Sequence, residues 1–147
     1  MTTTPEDATS VESTPWALTE ARIVAIANQK GGVGKSTSTI NLGAALAFQG
    51  ERILLVDLDP QGNTSSGLGI DRSAIELSTY DVLVDGVAVD DVLEPTSVRD
   101  LLIVPATIEL AGAEIELVSM FSRENRLANS LKPVMEDFDF VLIDCPP

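Results

Sequence analysis

The sequence predicts an α/β fold, a doubly wound and mainly parallel sheet flanked by helices. Three observations carry that expectation. Short continuous apolar runs recur at Ile23–Ala27, Ile53–Val56, Leu101–Val104 and Phe138–Ile143, as strands covered on both faces require. Stretches with helical spacing separate the runs. A glycine-rich segment, Gly31-Gly32-Val33-Gly34, stands where the first run hands over to the first helical stretch.

Taken in order, residues 1–21 are rich in Thr, Ser and Pro and carry Glu6, Asp7, Glu12 and Glu20 without a basic residue. Such a stretch cannot offset its ordering entropy by burial, so a disordered acidic tail is expected. Within it, Trp16-Ala17-Leu18 reads as an incidental apolar patch or as a short docking element. The folded domain is expected over residues 22–147. Ile23–Ala27 is its first strand. Over Ser36–Gln49, Ile40, Gly43, Ala44, Ala47 and Phe48 share one helical face, and Gly50 sits where a C-terminal cap belongs. Ile53–Val56 completes a βαβ unit. Its right-handed crossover places the loops after Ala27 and Asp57 on one edge of the sheet, where ligands of such folds bind.

Thr79–Val84 and Asp90–Leu93 read as short helical or turn segments. Ile108–Met120 and Arg123–Asp137 read as longer helices, the second interrupted or ended near Pro133. The last apolar run leads into Asp144-Cys145-Pro146-Pro147. A strand this apolar needs a further element to cover it, so the expected fold is one truncated after this strand.

Composition narrows the function. The chain has 147 residues, 9 basic and 23 acidic, for a net charge of −14. Setting aside the four acids of the tail leaves 9 basic against 19 acidic residues, so the domain itself is acidic. Its long-range field repels polyanions, and any anion it binds must be held locally. With one cysteine and no histidine, an intrachain disulfide and Cys/His zinc sites are excluded. The N-terminus shows no secretion signal, and no apolar run approaches the roughly 18 residues of a membrane span. A cytoplasmic protein without membrane contact is expected.

The chemistry concentrates in three places. The first is Gln29-Lys30-Gly31-Gly32-Val33-Gly34-Lys35-Ser36-Thr37, which joins a strand to a helix. Glycines there let successive N–H groups turn inward, and the helix start adds partial positive charge. Gly31, Gly32, Val33, Gly34, Lys35, Ser36 and Thr37 are therefore the expected cradle for the phosphates of ATP. Lys35 reaches the β- and γ-phosphates, and the Ser36 hydroxyl is a ligand for Mg2+. The competing reading is a flexible glycine turn with a solvated lysine. Gln29 stands where the standard motif has glycine, and Lys30 follows it, so the loop is a variant with a second lysine at its entrance.

The second place is Asp57-Leu58-Asp59-Pro60-Gln61-Gly62-Asn63, two carboxylates at a strand edge followed by a turn. Like charges so close need a cation or donors between them, which a neighbouring Mg2+–phosphate complex supplies. Alternatively, Asp59 caps a turn and Asp57 is merely exposed. The third is Phe140-Val141-Leu142-Ile143-Asp144, an apolar strand ending in aspartate, the form of a Walker B element whose carboxylate holds Mg2+. Many buried strands also end in Asp. Glu109, Glu114 and Glu116 read as a solvated helix face. Cys145 reads as a packing residue, since no histidine exists to activate it.

Together these segments resemble the deviant-Walker-A ATPases, and more closely the ParA/Soj chromosome- and plasmid-partitioning family. Also similar to that family are Ile40-Asn41-Leu42-Gly43-Ala44-Ala45-Leu46-Ala47, Ser66-Gly67-Leu68-Gly69, Val104-Pro105-Ala106, Leu110-Ala111-Gly112-Ala113-Glu114 and Asp144-Cys145-Pro146-Pro147. The resemblance implies that residues 22–147 are the N-terminal portion of such an ATPase domain. It also implies catalytic roles for Lys30, Lys35 and Asp59. Lys35 is then the phosphate-loop lysine, and Lys30 the signature lysine that reaches the ATP of the other subunit in a homodimer. Asp59 orients the attacking water, and Ser36, Asp57 and Asp144 lie in or near the Mg2+ shell. Members of the family dimerise on ATP, coat DNA without sequence preference and are released when a ParB-type centromere-binding partner stimulates hydrolysis. They are longer than this chain, and its acidity separates it from DNA binding. A MinD-like cell-division ATPase shares the lysine pair, but Asp59-Pro60-Gln61-Gly62-Asn63 favours partitioning. From a different class, a non-catalytic nucleotide-binding or interfering segment is the rival reading.

Overall fold

The computed structural model describes residues 20–147, so the expected tail lies outside the described residues except for Glu20 and Ala21. Ala21 is buried, and its N–H donates to the Met135 carbonyl at 3.0 Å. Five strands follow: β1 (Arg22–Ile26), β2 (Ile53–Asp57), β3 (Glu94–Pro95), β4 (Leu101–Val104) and β5 (Phe140–Asp144). They form one sheet in the order β1-β5-β2-β4-β3, parallel throughout except where β3 pairs antiparallel with β4. The α/β expectation holds. The helices are α1 (Lys35–Phe48), α2 (Asn63–Gly67), α3 (Leu110–Val118) and α4 (Arg126–Leu131).

The apolar runs explain which strands lie inside. Ile53, Leu54 and Leu55 of β2 and Val141 and Leu142 of β5 are fully buried, because a central strand is covered on both faces. Side chains alternate between the faces. Leu54, Val56, Val104, Val141 and Ile143 pack with Leu131, Val134 and Phe138 on one side. Ile53, Leu55, Leu101, Ile103 and Leu142 pack with Ala47 of α1 on the other. β1 is the outermost strand of the described sheet, paired with β5, and Ile23 and Val24 are 50% and 38% exposed.

Departures from the expected elements have local causes. The stretch Arg123–Asp137 is not one helix. It divides into a 3-10 turn at Arg123–Asn125, α4, and a second 3-10 turn at Lys132–Val134. Pro133 lacks an N–H and its ring clashes with the preceding turn, so the α-helix stops at Leu131. The two-residue β3 carries no periodicity to read, and its proline is tolerated because it sits on an edge. The short helical segments expected at Thr79–Val84 and Asp90–Leu93 occur as a π-helical turn at Asp81–Asp85 and a 3-10 turn at Val89–Asp91.

Register between the two central strands is pinned at their N-terminal ends. The Arg52 N–H donates to Asp139 Oδ2 at 2.7 Å, and the Asp139 N–H donates to the Arg52 carbonyl at 2.8 Å. The Arg52 guanidinium grips the same carboxylate through Nη2 to Oδ1 at 2.8 Å and Nε to Oδ2 at 3.2 Å. These bonds bring Asp57 and Asp144 level at the opposite ends of β2 and β5.

Arg52 holds the Asp139 carboxyl below the usual carboxylate range, chiefly through the side-chain hydrogen bond. A carboxyl depressed in the folded state contributes stability that is present above its unfolded pKa of about 3.9 and is lost as pH falls through the folded value. Urea melts of Arg52→Met against wild type are therefore expected to show a stability gap at neutral pH that shrinks below about pH 4. A gap that stays constant to acid contradicts this role.

Candidate functional site

Between β1 and α1 the chain makes a loop whose ends are set by its glycines. Gly34 precedes the helix at φ 89°, in the left-handed region that a β-carbon disfavours. No side chain caps α1. Its first hydrogen bond in the helical pattern runs from the Ser38 N–H to the Gly34 carbonyl at 2.8 Å, so the N–H groups just before Ser38 have no helical acceptor. At the loop entrance the Lys30 N–H donates to Asn28 Oδ1 at 2.9 Å.

A cleft of about 500 Å³ opens on this loop. Gly31, Gly32, Gly34, Lys35, Ser36 and Thr37 line it together with Asp59, Asn63 and Gly67. Ile40 and Pro147 complete its wall. Most of the expected cradle thus lines one space with one of the expected carboxylates. Lys30 and Val33 are exposed and do not line it.

The other two carboxylates sit behind the cleft. Asp57 and Asp144 end adjacent parallel strands and are 0% and 1% exposed. Asp57 Oδ2 accepts from the Ser65 N–H at 2.9 Å and the Ser65 hydroxyl at 2.7 Å, while its Oδ1 accepts from the Asp59 N–H at 3.1 Å. Burial pushes the Asp57 carboxyl above its ordinary pKa, the Ser65 and Asp59 donors oppose that shift, and the neighbouring Asp144 adds to it. Asp144 is held differently. Its Oδ2 accepts from the Thr64 hydroxyl at 2.6 Å, and its buried Oδ1 has no hydrogen-bond partner.

Asp59 also makes a turn of the kind the sequence allowed, since its Oδ1 accepts from the Gln61 N–H at 2.9 Å. Asp57, however, is buried rather than exposed. Asp59 is thereby both a turn former and a wall of the cleft. The C-terminal ends of β2 and β4 are joined beneath it by Thr79, whose hydroxyl lies 2.8 Å from the Asp57 carbonyl and 3.0 Å from that of Pro105.

This set of donors fits a hard divalent cation that brings most of its own ligands. Among the described residues no group of three or more Asp, Glu, His or Cys gathers into a metal cage. Mg2+ characteristically uses one or two protein oxygens together with phosphates and water. The orphaned Asp144 Oδ1 is a buried oxygen in need of a cation or donor, and the Ser36 hydroxyl lines the cleft.

Sequence reasoning did not single out Thr64, Ser65 or Thr79. Each is fully buried, and each spends its hydroxyl on a strand end of the site. The available signal was position. Thr64 and Ser65 directly follow the Asp-Pro-Gln-Gly-Asn turn, where hydroxyls at a helix start find nearby acceptors. Glu116 bonds the Tyr80 hydroxyl at 2.9 Å on the surface, and Glu109 and Glu114 are exposed, as expected of a solvated helix face. Burial pushes the Cys145 thiol up, away from the reactive thiolate. No described helix is long and apolar enough to cross a membrane.

Comparison with known proteins places the site in context. A family profile described as AAA domain matches residues 21–147. The sporulation initiation inhibitor protein Soj of Bacillus subtilis is 56% identical over 126 residues, covering 86% of this chain and 50% of Soj. The chromosome partitioning protein ParA of Myxococcus xanthus is 51% identical over 132 residues, covering 90% of this chain and 46% of ParA. Among solved structures, cobyrinic acid a,c-diamide synthase from Mycobacterium smegmatis, with bound ATP analogue and magnesium, superposes with a TM-score of 0.83 at 46% identity. That match covers 86% of this chain and 52% of the synthase. The chain spans about half the length of the curated relatives it matches.

The turn that carries Asp59 depends on Gly62, which adopts φ 62° and whose added β-carbon would lie 3.1 Å from the Ala106 carbonyl oxygen. Gly62→Ala is expected to lower stability by about 1–3 kcal/mol. Urea denaturation at neutral pH measures it, and an unchanged midpoint contradicts the strain assigned to this position.

Proposed function

Because this chain belongs to the ParA/Soj family of partitioning ATPases, we propose that it binds Mg·ATP in the cleft between the glycine loop and Asp59 and hydrolyses it there. The observation that carries the reading is that the uncapped start of α1, Lys35 and Asp59 line one cleft. A triphosphate laid against α1 takes up amides that no protein group satisfies. Lys35 neutralises the β- and γ-phosphates. Bound Mg2+ supplies charge neutralisation on the phosphate oxygens. The Ser36 hydroxyl and Asp144 are the ligands we assign to it. Asp57, whose oxygens are already engaged by Ser65 and Asp59, contributes negative charge from behind and fixes the turn.

Asp59 is the group we assign to the attacking water. It lines the same cleft as Lys35 and stands on a turn fixed by its own hydrogen bonds. Lys30 lies outside the lining, so a role in hydrolysis has it acting on the nucleotide of a second copy. There its ammonium stabilises γ-phosphate charge much as an arginine finger does. ATP-dependent dimerisation, DNA binding without sequence preference and stimulation by a ParB-type partner follow as the cycle of the full-length cytoplasmic protein. The net charge of −14 favours placing DNA contact elsewhere than on the surface of this segment.

Two substitutions separate binding from turnover. Lys35→Ala is expected to abolish Mg·ATP binding by calorimetry, and binding at wild-type affinity contradicts the loop assignment. Asp59→Ala, in a chain that hydrolyses ATP, is expected to keep nucleotide binding and to lose about 100-fold or more in turnover. Wild-type turnover in that variant removes Asp59 from the role given it.

A further inference from the structure

We propose that Thr64 is a positioning residue for the divalent cation, acting through Asp144. The inference rests on the nucleotide reading above and adds to it a residue that chooses which carboxylate oxygen is offered. Three observations support it. The Thr64 hydroxyl donates to Asp144 Oδ2 at 2.6 Å, a short charge-assisted bond with both side chains buried. Asp144 Oδ1 is left buried and unpartnered, so the carboxylate presents one oxygen with an unmet need for positive charge. Thr64 also belongs to α2, which begins directly after the turn bearing Asp59, and its neighbour Asn63 lines the cleft.

The adjacent hydroxyl shows how specific this is. Ser65 satisfies Asp57 through both its N–H and its O–H, and the Asp59 N–H takes the other oxygen of that carboxylate. Two acidic strand ends, level in register, are thus treated differently by two consecutive hydroxyl residues. One carboxylate is engaged at both oxygens. The other is fixed at one oxygen and buried without a partner at the other. A hydrogen bond to the distal oxygen of a ligating carboxylate fixes its orientation, and loss of such support commonly costs 10–100-fold in metal affinity. Ser65 Oγ further accepts the Ala106 N–H at 3.0 Å, which anchors α2 to the end of β4 and keeps Thr64 in place.

The test measures binding, not turnover. A fluorescent ATP analogue is titrated in EDTA, and Mg2+ is then titrated at fixed analogue to find the half-saturating concentration. Thr64→Val, close in shape but without the hydroxyl, is expected to raise that concentration about tenfold or more while leaving affinity in EDTA unchanged. Thr64→Ser restores the wild-type Mg2+ requirement. In an Asp144→Asn background, Thr64→Val adds no further change. A folded Thr64→Val variant with the wild-type Mg2+ requirement overturns the proposal, as does Thr64→Ser behaving like the valine variant, or an undiminished effect in Asp144→Asn. Thr64→Ala replaces the valine variant if valine prevents folding. A wild-type chain that binds the analogue with no response to Mg2+ overturns this proposal and the assignment of Ser36 and Asp144 to the cation, while nucleotide binding by the loop stands. A chain that binds no analogue overturns the nucleotide reading with it.

Discussion

The site depends on backbone N–H groups at the start of α1 that the protein does not satisfy. A helix leaves its first amides without intrahelical partners, and most helices answer with a side-chain cap. Here Gly34 stands at the cap position in a left-handed conformation, and no side chain substitutes for an acceptor. Water can reach those amides on an exposed loop, and an anion docked at the helix start would meet them in its place. Lys35 and the partial charge of the helix end favour that anion, in a protein whose overall field opposes it.

The rest of the fold brings a second, acidic wall to that helix end. β2 and β5 lie side by side at the centre of the sheet, and their buried residues make the strands stiff supports. Arg52 and Asp139 tie the two strands at one end, so Asp57 and Asp144 emerge together at the other. Two buried carboxylates in that position repel each other and lose hydration. The hydroxyls of Thr64 and Ser65 return part of what water supplied, and the unpaired oxygen of Asp144 retains an electrostatic need that a cation can meet.

What could be read from the sequence, and what could not, follows from the range of the interactions. The loop was legible because glycine conformations, a lysine and a hydroxyl at fixed spacing are local requirements. β2, β4 and β5 were legible because burial on both faces demands continuous apolar runs. β3 exists only through pairing with β4, and the last helical stretch broke where Pro133 ended α4. Of the site, Gly31, Gly32, Gly34, Lys35, Ser36, Thr37 and Asp59 line one cleft. Thr64 and Ser65 escaped notice because their partners lie 80 and 8 residues away in sequence and become partners only once the sheet has formed.

If the amides of the glycine loop wrap a phosphate chain, amide hydrogen exchange of this chain with and without a magnesium complex of a non-hydrolysable ATP analogue will report it. Exchange at Gly32 through Thr37 is expected to slow on addition of the analogue, with free phosphate having a much weaker effect. Exchange at those amides that is unchanged by the saturating analogue, while the sheet amides remain protected, would contradict it.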